Sequence, residues 1–429
     1  MAELHDPYGA LRVPDFRRLL TCSVFASVAS EIQAVAVGWE LYQRTNSKAA
    51  LGFVGLVQFL PVLLLSLPAG HAADRYSRKG LVILAVGVST LASAGLAALS
   101  FLEGPVFLIY VCIGLVGIGQ AFSAPARWSL VPSIVPDEML TNAVTWTSSG
   151  WQIASVVGPA LGGIGLGLTA GRAAWVYVLA GLFSAASAVM MAPIQPKPTP
   201  PRSEDVTLKS LLAGIRFVFK TDLLLAPITL DLFAVLLGGA TALLPVFTKD
   251  ILDVGPAWLG WLRAAPSLGA LAMALVLAHR PPMRHAGAAL LWSVAGFGAA
   301  TIVFGFSQSP WLSFAMLAVT GALDNVSVVI RGTLVQLLTP DAMRGRVAAV
   351  NLIFIGSSNE LGAFESGITA YWFGPVASVV GGGVGAILVV LATMLRWPRL
   401  LQLGSLASLT PEPTDTTLPA ADKLNDAPV

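Results

Sequence analysis

The chain of 429 residues is 55% hydrophobic and only 11% charged, with a net charge of +2. Soluble domains carry about 25% charged residues, so this composition excludes an ordinary soluble globular protein and favours a membrane protein. The two cysteines, Cys22 and Cys112, lie inside apolar runs, so neither a disulfide framework nor a metal site is predicted. The polar N-terminus lacks the pattern of a cleaved secretory signal.

Twelve mostly apolar stretches follow one another along the chain, each close to the roughly 20 residues that a membrane helix needs. Turn-forming pairs such as Asn46-Ser47 and Gly374-Pro375 separate several of them. The predicted helices are 19–42, 50–70, 80–101, 105–126, 142–168, 172–194, 223–248, 257–279, 286–306, 310–331, 347–373 and 374–395. The predicted fold class is therefore an all-α membrane protein with about twelve transmembrane helices.

A polar stretch in the middle of the membrane region divides these helices into two sets of six. The predicted parts are an N-terminal segment 1–18, a first six-helix bundle 19–194, a linker 195–222, a second six-helix bundle 223–395 and a disordered tail 396–429. The linker begins with a stiff proline-rich segment and continues into an amphipathic helix from Leu208 to Phe219.

The basic residues are distributed unevenly between the two sides of the predicted membrane region. Of the 25 Lys and Arg residues, twenty fall in the segments on the side of the two termini and the linker, and four fall on the other side. Only Arg263 lies well inside a predicted helix rather than at its end. Because basic residues favour the cytoplasmic side, both termini and the linker are predicted to be cytoplasmic, in a protein of the cell inner membrane.

The two halves of the sequence repeat at an offset of 204 residues. Arg127 and Asp137, after the fourth predicted helix, fall on Arg331 and Asp341, after the tenth. Because these loops occupy the same place in each half, the repeat predicts a duplicated six-helix unit. The substrate path is then expected between the halves, near the membrane midplane.

The segment between the second and third helices reads Gly70-His71-Ala72-Ala73-Asp74-Arg75-Tyr76-Ser77-Arg78-Lys79. It closely resembles the cytoplasmic loop signature of the major facilitator superfamily, and the matching residues are Gly70, Asp74, Arg75, Arg78 and Lys79. The resemblance implies that this segment holds a cytoplasmic gate shut. Asp74 is expected to meet the positive end of a neighbouring helix. The alternative is a basic turn that only follows the positive-inside rule.

Helix five carries a second motif, Gly158-Pro159-Ala160-Leu161-Gly162-Gly163. It resembles the exporter signature of drug and proton antiporters in the same superfamily, although Ala154 replaces one of the upstream glycines. The alternative is close helix packing through small residues. The membrane region from about residue 12 to 400 looks like the branch of secretion permeases that contains the enterobactin exporter, a likeness carried largely by 208–217 and 340–346.

Charges inside predicted membrane helices are costly and therefore indicate function. Four residues are candidates for a substrate or proton cavity, namely Glu31, Asp231, Arg263 and Asp324. The resemblance implies that helices one, four, seven and ten line the cavity, so the three acids are expected to face it. A carboxylate there can take up and release a proton as access alternates. The alternative is a structural ion pair with Arg263.

Two further observations bear on the mechanism. Helix eleven carries Glu360 and Glu365, for which we expect packing or gating rather than direct coupling. Proton-coupled drug exporters of the superfamily usually carry an arginine within helix four, whereas 105–126 contain no charge. Gln120 is the most polar long side chain there, so the coupling ion stays open.

Enzyme signatures are missing: the sequence has no phosphate-binding loop and no nucleophile elbow. The chain is therefore predicted not to be an enzyme and to need no cofactor. The predicted function is secondary active transport by alternating access, with export of a small amphipathic compound, siderophore-like or drug-like, and with proton antiport as the candidate coupling. The alternatives are another substrate on the same scaffold (a lysophospholipid, a sugar or a metal chelate) or a transport-inactive membrane sensor or scaffold. The expected partners are the substrate, protons and the lipid bilayer, without nucleic acid, and the chain is expected to be a monomer.

Overall fold

The computed structural model describes residues 6–197, 208–281 and 283–404, and within these ranges the protein is helical, with no β-strand. The N-half contains α1 (Pro14–Thr45), α2 (Lys48–Arg75), α3 (Arg78–Phe101), α4 (Val106–Ile134), α5 (Leu140–Leu168) and α6 (Ala173–Met191). The helix α7 (Leu208–Lys220) follows, at the predicted amphipathic segment. The C-half contains α8 (Asp222–Leu237), α9 (Leu244–Val246), α10 (Ala257–Ala278), α11 (Ala286–Phe306), α12 (Pro310–Leu338), α13 (Asp341–Phe373), α14 (Pro375–Arg396) and α15 (Pro398–Leu401).

Within the described residues, eleven helical segments are long and apolar enough to cross a membrane. One of them, Asp222–Ile251, combines α8 and α9 with the turns around them. The twelfth long helix, α13, has 33 residues and carries Arg346, Glu360 and Glu365. It packs against α2 and α8 in the same way as α5 packs against α10 and α1. It therefore completes the C-half as the counterpart of α5.

The packing of the helices repeats from one half to the other. In the N-half α1 packs on α5 and α6, α3 packs on α4 and α6, and α2 packs on α4. In the C-half α8 packs on α13 and α14, α11 packs on α12 and α14, and α10 packs on α12. The halves meet through α2 against α13 and α5 against α10. This is the pseudo-symmetric pair of six-helix bundles that the 204-residue repeat predicts.

The two ends of the bundle differ. We call one end the linker face, because the start of α1, the end of α4 and the segment after α6 meet there. Two hydrogen bonds join these segments: the Lys197 amide donates to the Ser133 carbonyl at 3.1 Å, and the Gln195 amide donates to Asp15 at 3.3 Å. At the opposite face one continuous apolar core includes residues of both halves, such as Tyr42, Tyr177, Phe247 and Phe304. At the linker face each half has its own core. The halves are therefore joined at the opposite face and separate at the linker face.

Several predicted boundaries are corrected by the structure. Arg127 and Arg331 were expected in loops, but they lie inside α4 and α12, which end only at Ile134 and Leu338. At 1.5 Å per residue, a helix of 29 residues is about 43 Å long and extends beyond the hydrocarbon layer, so a hydropathy limit at the first basic residue ends it too early. Of the other two predicted loop residues, Asp137 starts a 3-10 turn and Asp341 is the first residue of α13.

The residues of the gate motif lie mostly in helices, whereas a loop between two helices was expected. Gly70, Asp74 and Arg75 belong to the last turns of α2, and Arg78 and Lys79 begin α3, so only Tyr76 and Ser77 connect the two helices. The Ser77 hydroxyl caps α3 by accepting a hydrogen bond from the Gly80 amide at 3.2 Å. A cap of this kind is typical of a helix N-terminus, and it allows a connection of two residues.

The tail was expected to be disordered from residue 396, but the chain stays folded as far as Gly404. The carbonyls of Leu403 and Gly404 accept hydrogen bonds from the amides of Gly287 and Ala286, at 3.2 and 3.1 Å. Leu400 and Leu403 are buried in the core of the C-half, which explains the order of this segment. The rest of the tail, 405–429, and the proline-rich part of the linker, 198–207, lie outside the described residues.

The seventh span is interrupted, whereas the sequence predicted one helix over 223–248. The helix α8 ends at Leu237, and a 3-10 turn over Ala240–Leu243, α9 and a π-helical turn over Phe247–Ile251 follow. A Cβ on Gly239 would lie 3.0 Å from the carbonyl carbon of Gly362 in α13. Two successive glycines weaken the helix and let α13 approach, which positions the break beside the centre of the bundle.

Candidate functional site

A cavity of about 750 Å³ lies between the two halves and is lined by residues of α1, α2, α4, α5, α8, α10, α12 and α13. All four charged residues selected from the sequence, Glu31, Asp231, Arg263 and Asp324, line it. They come from four helices of both halves and are far apart in the chain. The fold thus brings the predicted intramembrane charges into one central cavity.

Glu31 and Arg263 connect the two halves across this cavity. The Arg263 Nε lies 3.5 Å from the Glu31 Oε2, and each side chain is 32% exposed. Glu31 is on α1, and Gly158 of α5 lies so close behind it that a Cβ there would be 2.5 Å from the Glu31 Cβ. Glycine at position 158 therefore allows the Glu31 backbone to sit against α5 while its carboxylate reaches the C-half.

Glu360 of α13 belongs to the same charge cluster, although the sequence assigned it packing or gating. It lines the central cavity and interacts electrostatically with both Arg263 and Glu31. A Cβ on Gly55 of α2 would lie 3.0 Å from the Glu360 Oε2. Glu360 is thus a second carboxylate near Arg263, although only Glu31 forms an ion pair with it.

Asp231 and Arg331 form a second ion pair, within the C-half. It is much more buried than the first, because the two side chains are only 8% and 4% exposed. Arg331 was expected in a loop, yet it lines the cavity from a different helix than Asp231 does. Asp324 and Asn325, about two turns before Arg331 on α12, also line the cavity, and the Asn325 side-chain oxygen is buried without a hydrogen-bond partner in the described structure.

Neutral polar side chains complete the N-half wall of the cavity. Gln58 of α2 donates to Gln120 of α4 at 3.3 Å, and Gln120 donates to the Ser30 hydroxyl at 3.4 Å. Gln120 was singled out in the sequence as the most polar long side chain of helix four. An amide chain of this kind can exchange its hydrogen bonds for those of a bound polar compound. The N-half therefore offers Glu31 together with neutral donors and acceptors, whereas the other charges of the cavity lie on the C-half wall.

The helix-five motif lies at the contact between the halves. A Cβ on Gly163 would lie 2.6 Å from the Gly260 Cα of α10, and a Cβ on Gly162 would lie 3.0 Å from the Val35 Cβ of α1. Pro159 contributes its carbonyl to the same contact, 2.3 Å from a Cβ on Gly260. Close packing through small residues, the alternative given for this motif, therefore describes its contacts, and the packing joins the two halves at the opposite face.

At the linker face the gate motif has few neighbours in this conformation. No atom lies within 4 Å of a Cβ added to Gly70, Gly332 or Gly345. The Arg78 guanidinium donates to the Ser129 carbonyl of α4 at 2.9 Å, which ties α3 to α4 within the N-half. The side chain of Asp74 lies outside the described part of the structure.

A second cavity, the N-half pocket, has a volume of about 710 Å³ and extends from the central cavity towards the linker face. The two cavities are continuous, since both are lined by Ser30, Glu31, Gln33, Val116, Trp151 and Gln152. Arg127 lines the N-half pocket from within α4. Helix four therefore does carry an arginine, which the sequence-based limit at residue 126 had left outside it.

Comparisons with known proteins agree with this architecture. The family model described as transmembrane secretion effector matches residues 5–418. The enterobactin exporter EntS of Escherichia coli O1:K1 / APEC is 28% identical over 387 residues, which cover 89% of this chain and 91% of the exporter. The enterobactin exporter EntS of Shigella boydii serotype 18 has the same identity over the same shares of the two chains.

Solved structures show the same fold at low identity. The bacterial homologue of the human lysosomal transporter Spinster, in its inward-facing and occupied conformation, has a TM-score of 0.70 at 16% identity, covering 93% of this chain and 98% of that one. A POT family transporter in complex with 5-aminolevulinic acid has a TM-score of 0.69 at 14% identity, covering 90% and 96%. Family and fold are those of membrane transporters rather than enzymes. The chain belongs to the transmembrane secretion effector family, a branch of the major facilitator superfamily of multi-pass membrane transporters.

Proposed function

We propose that this transporter exports a small amphipathic compound by alternating access, and that the charged central cavity binds it. The observation that carries the proposal is the Glu31–Arg263 ion pair, which links the N-half to the C-half at 3.5 Å. The similarity to exporters of enterobactin supports a siderophore-like or drug-like substrate and the outward direction. The separate cores at the linker face support a conformation that is open at that end.

The ion pair suits a transport cycle because it contributes only a small free energy to the conformation in which it forms. Each partner is 32% exposed, so solvent screens the attraction and the pair contributes no more than about 1 kcal/mol. The two conformations of a transporter differ by only a few kcal/mol, so gain or loss of such a contact can bias the equilibrium. A compound that binds Glu31 or Arg263 competes with the ion pair and loosens the connection between the halves.

Proton antiport is the coupling that we propose with this site. Glu31 forms an ion pair with Arg263, and Glu360 interacts electrostatically with both, so the cluster holds one negative charge in excess when both acids are ionised. A proton or a cationic group of the substrate can neutralise that charge. If each competes for the same carboxylate, uptake of one promotes release of the other.

The proposal is tested by flux in proteoliposomes that contain the purified chain, with enterobactin as the first compound and an imposed pH gradient. Glu31→Gln and Arg263→Gln should each reduce flux at least tenfold and flatten its dependence on pH. Glu103→Gln, which changes an exposed carboxylate in the connection between α3 and α4, is the matched control and should transport like the wild type.

Two results would count against the proposal. Full transport in both cavity variants at every pH would remove the ion pair from the mechanism. Absence of flux for siderophore-like, drug-like, lysophospholipid and sugar compounds in the wild-type chain would favour a sensor or scaffold instead.

A further inference from the structure

Arg127 lines the N-half pocket and has no ion pair with any described residue. Its Nε is buried and has no hydrogen-bond partner in the described structure. The only carboxylate among the residues lining the N-half pocket is Glu31, which lies 3.5 Å from Arg263. Arg127 as a whole is half-buried, and a cation that is partly withdrawn from water is stabilised by an anionic partner, because losing hydration is costly.

In the C-half, the arginine at the corresponding position has an acidic partner. Arg331, the repeat equivalent of Arg127, is paired with Asp231 of α8. At the same offset of 204 residues, position 231 corresponds to Ser27 of α1. Ser27 and Ser23, one turn earlier, both line the N-half pocket. The carboxylate that neutralises Arg331 thus has as its counterpart a serine that lines the same pocket as Arg127, so that the positive charge is available to a ligand.

The rest of the pocket indicates the kind of anion. Trp128 and Trp151 line it and are 55% and 60% exposed, so their indole rings are available for contact. Thr147, Ser148 and Gln152 add hydroxyl and amide groups. Indole faces pack against aromatic rings, and a guanidinium binds a carboxylate with two parallel hydrogen bonds. A bare inorganic anion would leave the indoles unused.

We propose that the N-half pocket is a binding subsite for aromatic organic acids, with Arg127 as the residue that binds their carboxylate. As a subsite for transported compounds it rests on the proposed function, whereas binding itself can be measured without transport. Arg127 lies on the linker-face side of this pocket, and the pocket joins the central cavity at Glu31, Trp151 and Gln152, which line both. An acid bound there would sit on the path between the linker face and the midplane.

The test compares two small probes in equilibrium dialysis against the purified full chain in a neutral detergent. Salicylate is an aromatic acid, and salicylamide is its uncharged analogue. The wild type should bind salicylate at least tenfold more tightly than salicylamide, and Arg127→Gln should abolish that preference. Arg12→Gln removes a cation that is 77% exposed and should leave the preference intact.

A second pair of variants tests the asymmetry between the halves and does not depend on removing the arginine. Ser27→Asp supplies the missing carboxylate and should abolish the preference for salicylate, whereas Ser27→Asn, of the same size but neutral, should bind salicylate more tightly than Ser27→Asp does. Equal binding by these two variants, or an unchanged preference in Arg127→Gln, would overturn the proposal. Displacement of salicylate by equimolar inorganic phosphate would also overturn it, since the site would then recognise a phosphate rather than an aromatic acid. Selective binding without flux would leave this subsite standing and refute only the export function.

Discussion

Gly163 of α5 and Gly260 of α10 meet backbone to backbone across the boundary between the two halves. A Cβ on Gly163 would lie 2.6 Å from the Gly260 Cα, and a Cβ on Gly260 would lie 2.3 Å from the Pro159 carbonyl oxygen. Because the neighbours of each added carbon are backbone atoms, no side-chain rotation can make room. The contact holds the opposite face closed only while both residues are glycine.

We therefore expect Gly260→Ala to separate the halves at the opposite face. The variant should shift the equilibrium towards conformations in which α5 and α10 move apart and should lower transport several-fold. The distance between spin labels at positions 172 and 253, on the opposite-face ends of the two halves, should increase. Gly381→Ala on α14, where no atom lies within 4 Å of the added carbon, is the matched control. An identical distance distribution in Gly260→Ala and the wild type would show that the contact does not close this face.

The Asp231–Arg331 pair should contribute to stability through the cost of breaking it. Both side chains are almost completely buried, so Asp231→Asn leaves a buried charge without compensation and is expected to cost about 3–5 kcal/mol. The double variant Asp231→Asn with Arg331→Gln should recover much of that loss. Thermal or denaturant unfolding in detergent, analysed as a double-mutant cycle, measures both effects.

The exposed pair Asp15–Arg18 provides the control for this cycle. Its side chains are 26% and 44% exposed, so Asp15→Asn should change the free energy of unfolding by no more than about 1 kcal/mol. If Asp231→Asn had an equally small effect, the buried pair would contribute little to stability, and its role in the cavity would be the remaining explanation for the two charges.

Asp74→Asn tests the gate motif. We expect Asp74 to stabilise the state closed at the linker face by meeting the N-terminus of a helix in the other half, a contact worth about 0.3–1 kcal/mol. The start of α13 is the expected partner, and in the present conformation nothing lies within 4 Å of a Cβ on Gly345 there. The variant should therefore populate the state open at the linker face more strongly and turn over more slowly.

Spin labels on the linker-face ends of the two halves report this shift. Unchanged distances in Asp74→Asn would reduce Asp74 to an acid in a basic turn. Glu138→Gln, which removes an exposed negative charge at the same face, controls for the change in net charge.

The orientation in the membrane is open to a direct test by cysteine labelling. The distribution of basic residues predicts that the linker and the tail are cytoplasmic. In a chain whose Cys22 and Cys112 are replaced by serine, an impermeant reagent added to intact cells should reach a cysteine at position 172 and miss cysteines at 202 and 410. Labelling at 202 from outside would invert the predicted topology.

Much of the architecture was predictable from local properties of the sequence. Composition and the lengths of the apolar stretches predict a helical membrane protein, and the 204-residue repeat predicts two similar halves. The ends of helices were less predictable: α4 and α12 continue beyond Arg127 and Arg331, because a helix can carry a basic residue once that residue faces a cavity or a buried acid. The hydropathy of the sequence does not show whether a basic residue faces a cavity or a buried acid in the folded protein.

The candidate site was likewise predictable from the sequence only in part. The cost of a charge in a membrane helix is a local property, so Glu31, Asp231, Arg263 and Asp324 could be selected from the sequence by themselves. Their partners could not: Glu31 faces Arg263 and Asp231 faces Arg331 because helices distant in the chain pack side by side. The sequence repeat did identify Arg331, but it predicted that this residue lies in a loop.

By itself, then, the sequence determined the helical membrane class, the duplication and the set of intramembrane charges, since each follows from residue type, spacing or repetition. Only the tertiary structure decided which charges form pairs and that Arg127 has no ion pair among the described residues. It also decided that glycines hold the halves together at one face while separate cores leave them apart at the other. The physical reason is that pairing and close approach depend on distances between helices, and those distances are set by packing across the whole bundle.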